Sequence, residues 1–458
     1  MPVVLVTDVL VWLLVAAVAG YAFYCRRHAH LAAPWRRVFG SPAAMISLVV
    51  LAVYLAIGLA DSLHYRAQLE RKDPAAPSAY SNDVTSVLDM LLARIRGRSE
   101  KTYSAPFATR LFAKELIEVA AGPDKGRQVR DYPRLRFGGA HLKDEADHAA
   151  DIATRALVAL LAAAALWALA GWLLRGAARR RPQVPWRAAY FALGALLALA
   201  APAFALSANY HVLGTDKVGQ DVFYLSLKSI RTSLVIGTLT TLVMLPLGAG
   251  IGIMAGYFKG WVDDLIQYVY TTLNSIPGVL LIAASVLMMQ VYIDTHPELF
   301  PTAAERADLR LLFLCIILGL TSWTGLARLL RGEALKLGEL EYIQAAHAFG
   351  VSHARVIGRH ILPNVMHIII ISLVMDFSGL VLAEAVLSYV GVGVDPSTTS
   401  FGTMINNARL EMAREPMVWW ALASAFVFMF VLVLMANLFA DAVRDGFDPR
   451  VRVGRLAA

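Results

Sequence analysis

Hydrophobic positions along this chain come in long unbroken runs. Nine stretches, about 3–24, 43–62, 153–174, 187–208, 233–257, 265–293, 311–331, 365–394 and 417–440, approach or exceed the roughly 20 apolar residues that cross a bilayer as a helix. Alternating barrel-type patterning is absent. The pattern predicts an all-α, polytopic membrane protein with about nine transmembrane helices. Two polar islands stand out. Leu63 to Ile152 mixes charges with Pro74, Pro77, Pro106, Pro123 and Pro133. Within it, Val84, Val87, Leu88, Leu91, Leu92 and Ile95 fall at helical spacing and predict an amphipathic helix over 83–96. The whole island is either a small lid or docking domain or a partly ordered loop. The second island, Glu339 to Asn364, is helix-prone. Glu339 and Glu341 suit a helix N-terminus, Ala345, Ala346 and Ala348 make a small smooth face, and Gly350 suits a left-handed helix stop. Ser352 is placed to cap a second short helix, His353 to Ile361, and Pro363 fits the first turn of the next membrane helix. The expectation is a helix-turn-helix outside the membrane.

Composition agrees with this class: of 458 residues, 58% are hydrophobic and 17% charged. Charge then sets orientation. Arg26, Arg27, Arg36 and Arg37 follow the first run; Arg175, Arg179, Arg180, Arg181 and Arg187 follow the third; Arg444, Arg450, Arg452 and Arg455 sit in the tail. Basic residues concentrate on the cytoplasmic side, so the N-terminus is expected outside, the C-terminus inside, and the Glu339 island in the cytoplasm. The net charge of +8 is explained by these segments, with no basic groove for nucleic acid. The first run lacks a basic n-region and reads as an anchor rather than a cleaved signal. Cys25 and Cys315 are too isolated for a metal framework or a clear disulfide.

Candidate chemistry is sparse. Asp376 and Glu384 lie eight residues apart in the eighth run, about 80° around a helix. Acids at membrane depth are costly and line a path or fix helix packing. Gly248, Gly252 and Gly256 form a small-residue stripe, Pro246 predicts a kink, Gly260 to Asp264 a tight turn, and Asn274 to Gly278 (NSIPG) a break in the sixth span. No phosphate-binding G-x-x-x-x-G-K-[ST] loop and no H-E-x-x-H occurs. No catalytic residue and no metal ligand set is assigned. His347, His353, His360 and His367 read as surface or packing residues, since their spacing does not make all four converge.

The Glu339 island resembles the "EAA" loop of bacterial ABC importer permeases: E-A-A, three residues, Gly, nine residues, then Ile-x-Leu-Pro. Gln344-Ala345-Ala346, Gly350 and Leu362-Pro363 are in register, with Gln344 in place of Glu and His360 in place of Ile. Tyr210 to Leu234 is similar to the H-x-x-G-T-D-x-x-G-R-D-V-x-S-R signature of the dipeptide, oligopeptide and nickel branch. His211, Gly214, Thr215, Asp216, Gly219, Asp221, Val222, Arg231 and Ser233 match; Gln220 replaces Arg, and Tyr224-Leu225 replace Ser-Arg. Val222 to Leu234 is expected to lie at the interface. Glu384 to Gly393, Pro396, Phe401 to Ile405 and the tail segment DAVRDGFDPR continue the likeness.

The resemblance implies a peptide-branch permease subunit, C-type within its pair, in the bacterial inner membrane. It implies partners: a homologous permease, two ATPase subunits that use ATP and Mg, and an extracytoplasmic binding protein, with no cofactor on the chain itself. It implies that Glu341, Gln344, Ala345, Ala346, Gly350, Leu362 and Pro363 couple to the ATPase. The organisation expected is 1–62 anchor and first permease helix, 63–152 extracytoplasmic segment, 153–208 additional hairpin, 209–452 permease core and 453–458 tail. Two rivals use Asp376 and Glu384 instead: an ion-coupled secondary transporter, or a membrane-embedded enzyme with an acid and a base.

Overall fold

The computed structural model describes residues 1–68, 80–118, 128–299 and 302–447. Pro74, Pro77, Pro123 and the tail from Asp448 onward, with Arg450, Arg452 and Arg455, lie outside the described residues. In chain order the helices are α1 (Val6–Arg27), α2 (Ala29–Val38), α3 (Pro42–Asp61), α4 (Val87–Leu91), α5 (Ala93–Arg96), α6 (His148–Arg180), α7 (Trp186–Ser207) and α8 (Val222–Phe258). There follow α9 (Gly260–Ser275), α10 (Gly278–Thr295), α11 (Ala303–Ser322), α12 (Thr324–Gly338), α13 (Glu341–Ala348), α14 (His353–Val356), α15 (Leu362–Val390), α16 (Phe401–Arg409) and α17 (Trp420–Phe447). Among the described residues, eight helices are long and apolar enough to cross a membrane, or nine if the bent pair α11–α12 is one span. The protein is a polytopic α-helical membrane protein.

Several expected boundaries move, each for a physical reason. The sixth span is two helices, parted at the expected NSIPG break. Pro277 removes a backbone donor and biases Ile276 to an extended conformation (φ −91°, ψ 130°), so α9 stops at Ser275. The seventh span bends by 40° at Trp323. The turn expected over Gly260 to Asp264 is confined to Lys259 and Gly260, both at φ +54°, and Trp261 onward is already helical. Val222 to Leu234 does not form a separate interfacial helix. It is the start of the 37-residue α8, with Val222, Ser226, Ser229 and Ile230 fully buried.

The chain divides into two compact units. The first comprises Met1–Val3, Phe39–Thr232 and Thr399–Met435. It holds α3, the α6–α7 hairpin and two small sheets. In one, β1 (Pro2–Val3), β2 (His64–Gln68) and β3 (Tyr80–Ser86) run antiparallel, with Pro2 opposite Tyr65 and His64 opposite Ser86. In the other, β4 (Glu115–Glu118) pairs with β5 (Gln128–Asp131). The amphipathic helix expected over 83–96 is therefore half right. Strand pairing claims the chain as far as Ser86. There the Ser86 hydroxyl accepts from the Asp89 amide (3.1 Å) while Asp89 Oδ2 accepts from the Ser86 amide (3.0 Å), a capping box that starts α4. In the hairpin, Trp167 stacks on Tyr190 at 4.5 Å and donates to its carbonyl at 2.8 Å.

The second unit comprises Val4–Val38, Ser233–Thr398 and the chain from Ala436. One core gathers Ile236, Leu239, Leu311, Leu314, Cys315, Leu318 and Leu387; another gathers Ile253, Leu330, Ile343, Val356, Ile361 and Val365. The glycine stripe of α8 serves packing. A Cβ on Gly252 would stand 2.5 Å from the Ala327 carbonyl oxygen, and one on Gly256 2.4 Å from that of Arg331, so α8 and α12 touch through backbone. Asp263 holds the Arg331 guanidinium through two bonds, 2.5 and 2.6 Å, fixing the start of α9 to α12.

Candidate functional site

α13 is a short amphipathic helix held by one buried side chain. Ile343 is fully buried and packs among Leu330, Val356, Ile361 and Val365. Around it Glu341, Gln344, Ala345 and Ala348 are exposed and Ala346 is half-buried. The helix ends as the sequence expects. Gly350 sits at φ +74°, its amide donates to the His347 carbonyl (2.9 Å), and the Val351 amide donates to that of Ala346 (3.0 Å). These are the two bonds of a Schellman stop, and they require a left-handed residue at position 350. The stop leaves Phe349 85% exposed at the tip.

Other details differ from expectation. Glu339 closes α12 rather than opening α13, and pairs with Lys259 at 2.5 Å, which holds its carboxyl below the usual range. Ser352 makes no side-chain cap. The second short helix does not end before Pro363. A π-turn over Ile357–Ile361 carries α14 into α15, giving one helix from His353 to Val390. Pro363 has no N–H to give, and a wider turn accommodates the missing donor. Leu362 is half-buried in the same core as Ile343, and Pro363 is exposed. Two of the four histidines do meet. His347 Nε2 (3.1 Å) and His353 Nδ1 (2.8 Å) both contact the Tyr257 hydroxyl, so the Gly350 turn folds back on the end of α8. Sequence reading passed over Ile343 and Tyr257. The apolar positions Ile343, Val356 and Ile361 within a polar island were the available signal.

The Gly214–Asp221 loop is a clamp within the first unit. The Thr215 hydroxyl donates to the Thr102 carbonyl (2.9 Å) and accepts from the Ser104 amide (2.6 Å). The Thr215 carbonyl accepts from the Trp420 indole (2.9 Å). Asp216 Oδ1 accepts from the amides of Val218 (2.9 Å) and Gln220 (2.8 Å), which rounds the loop. Gly219 lies at φ +77° with the Glu100 backbone passing over it; a Cβ there would be 1.9 Å from the Glu100 carbonyl oxygen. Asp221 Oδ1 accepts from the Phe223 amide (2.8 Å) at the start of α8.

Behind the loop, His211 bridges Asp221 (2.8 Å) and Glu100 (3.3 Å), all three nearly inaccessible. Glu100 also accepts three amides, from Arg136, Phe137 and Gly138. Burial alone would lower the imidazole pKa. The two carboxylates outweigh burial and raise it to about 9, so His211 is charged at neutral pH. The signature residues thus grip residues 100–104 and 136–138. A departure from the signature joins the same grip: Tyr224 donates to Asp89 (2.7 Å), which Lys228 also holds at 2.7 Å. Burial would raise the Asp89 carboxyl, but Lys228 wins and holds it at about 2. Among the described residues, Gln220 makes only backbone bonds to the loop.

Asp376 and Glu384 are not brought together. Both lie on α15, separated by about 12 Å of helix rise. Asp376 is half-buried, with no hydrogen-bond or ion-pair partner among the described residues. Glu384 is 1% exposed and accepts from the Ser388 hydroxyl at 2.7 Å. Separation on this scale does not let two acids act on one atom, which removes the geometry that an acid–base enzyme needs.

These features define a class: a multi-pass helical membrane protein that projects a short, rigidly stopped helix beyond its spans and keeps Asp376 and Glu384 apart. Residues 248–453 match the family model described as the binding-protein-dependent transport system inner membrane component. The oligopeptide transport system permease protein OppC of Mycobacterium tuberculosis is 32% identical over 242 residues, 53% of this chain and 77% of that protein. The glutathione transport system permease protein GsiD of Pectobacterium atrosepticum is 32% identical over 53% of this chain and 73% of its own length. The dipeptide transport system permease protein DppC of Bacillus subtilis is 28% identical over 53% and 69%. A solved chain of the MetNI methionine ABC transporter covers 50% of this chain at 14% identity and a TM-score of 0.36, values that carry no detail over. The chain belongs to the binding-protein-dependent transport system inner membrane components, the permease subunits of ABC importers. ATP hydrolysis in such systems resides in separate subunits, and a binding protein delivers the solute.

Proposed function

We propose that this chain is the C-type permease subunit of an importer for di- or oligopeptides or related small solutes. It pairs with a homologous permease and is driven by two ATPase subunits that use ATP and Mg. The observation that carries the coupling role is α13: a helix pinned by Ile343, stopped by Gly350, and exposing Ala345, Ala348 and Phe349. In this reading Glu341, Gln344, Ala345 and Ala346 face the ATPase groove. Gly350, Leu362 and Pro363 set the angle at which α13 is presented. ATPase closure pushes α13, and the continuous helix from His353 to Val390 carries the push across the membrane. In this reading α13 and the C-terminus lie in the cytoplasm and the N-terminus and residues 63–152 outside, an orientation that the Arg-rich segments support. Gly214, Thr215, Asp216, Gly219 and Asp221 then serve as the anchor of that outer segment, which stands where a binding protein docks. Asp376 lines the path, and Glu384 sets helix packing behind it.

A cysteine at position 345 tests the docking. Both native cysteines are buried, so the introduced thiol reports alone. The expected result is a short-range crosslink from Ala345→Cys to the ATPase subunit in the purified complex. A crosslink only from a control site on α6, and none from 345, overturns the proposal.

A further inference from the structure

The first unit carries an apolar groove that neither the coupling surface nor the clamp uses. Its volume is about 770 Å³, within the roughly 300–1,000 Å³ of ligand clefts. Ala52, Ala56 and Ala60 recur every four residues along α3 and form a floor without protruding side chains. Leu193 and Phe204 of α7 make the facing wall. Leu91 and Ile95 of α4 and α5 roof one end, and Leu91 is 68% exposed on the outer side. From Val49 to Ala60 the lining follows about 17 Å of α3 at ~1.5 Å per residue. One leaflet of the hydrocarbon core is about 15 Å deep. The groove therefore spans one leaflet and ends at the level where α3 and α7 leave the membrane.

At that level stands Arg94, which lines the groove mouth, is exposed, and has no carboxylate partner among the described residues. Burial, and then the nearby Arg94 guanidinium, lower the pKa of Arg98, so the two positive charges lie close together. Arg96, on the same short helix, is already neutralised by Asp89 at 3.7 Å. An uncompensated cation over an apolar slot of leaflet depth matches one occupant: a lipid with an anionic headgroup.

We propose that the groove between α3 and α7 binds an anionic glycerophospholipid, its acyl chain against Ala52, Ala56 and Ala60 and its phosphate at Arg94. The lipid fills the space under α4 and α5 and so supports the segment that the clamp holds. The inference rests on α3 and α7 crossing the membrane and is independent of how α13 is used.

Native mass spectrometry of the delipidated full-length permease tests it, with phosphatidylglycerol and phosphatidylcholine offered in equal amounts. Wild type is expected to retain phosphatidylglycerol over phosphatidylcholine by at least about fivefold. Arg94→Gln loses the preference, Arg94→Lys keeps most of it, and Ala56→Trp, which fills the floor, loses the tightly held lipid of either kind. Arg94 is exposed, so its variants separate lipid selection from folding. No headgroup preference in wild type, or a preference unchanged in both Arg94→Gln and Ala56→Trp, overturns the proposal. The second outcome would mean that lipids bind elsewhere.

Discussion

Replacing His211 by Gln should release the segment that the clamp holds. The imidazolium is 2% exposed and lies between Asp221 and Glu100. Its pKa of about 9, against an ordinary 6.5, corresponds to about 3 kcal/mol favouring the charged form in the fold. Removing one partner of a buried ion pair gives a similar figure, about 3–5 kcal/mol, because the carboxylates stay buried without their cation. The sign with pH follows. The folded-state value lies above the unfolded one, so the stabilisation is complete below about pH 6.5 and is lost as pH rises through about 9. Amide hydrogen exchange at residues 100–104 and 136–138 reads this as local opening. In wild type, protection corrected for intrinsic rates should fall between pH 6.5 and 9.5. In His211→Gln it should already be about 100-fold lower at pH 6.5, from about 3 kcal/mol at 1.4 kcal/mol per decade, and flat with pH. Equal protection in the two proteins, or a wild-type profile that does not change over this range, would refute the charged bridge.

Two further outcomes are expected. Lys101 and His353 are both exposed, so a cysteine at 101 should react with an impermeant thiol reagent in intact cells, while one at 353 should react only after permeabilisation; the reverse pattern would invert the topology. Glu384→Gln retains an acceptor for Ser388 and should transport with an unchanged pH profile at reduced thermal stability, whereas Asp376→Asn should alter transport; a changed pH profile in Glu384→Gln would place that acid in the path instead.

Much of the fold was legible because apolar runs of bilayer length admit few alternatives. The runs at 43–62 and 187–208 lie within one residue of α3 and α7 at each end. The Gly350 stop was legible too, since few residues tolerate a positive φ. What sequence reading missed depended on tertiary partners. Pairing with β2 keeps residues 83–86 extended although the apolar spacing from Val84 onward suits a helix. Val222 to Leu234 has polar residues enough for an interface, yet Ser226 and Ser229 satisfy their hydroxyls on carbonyls four residues back and bury. The Gly-Thr-Asp loop is legible in the sequence as a match to the branch signature. Its contacts with Glu100 and Ser104, over a hundred residues away in sequence, lie beyond any local pattern. The Tyr257 contact with His347 and His353 is of the same kind, and no spacing within the island foretells it.

The coupling claim stands or falls with Gly350→Val. A left-handed conformation costs a residue with a side chain about 1–2 kcal/mol, and more for a β-branched one. No neighbour lies within 4 Å of a Cβ at this site, so the damage is confined to the backbone of the stop. The bonds from Gly350 and Val351 to His347 and Ala346 are lost, and the exposed face of α13 turns away from its partner. The spans keep their own hydrogen bonds, so membrane insertion and copurification of the other subunits should survive. Gly358→Ala is the control, since it also has open space but no positive φ. The measurement is ATPase activity stimulated by binding protein and peptide, together with uptake, in vesicles reconstituted with the whole complex. The account predicts that Gly350→Val loses stimulation and uptake while basal hydrolysis persists and Gly358→Ala behaves as wild type. Normal uptake with full stimulation in Gly350→Val would contradict it.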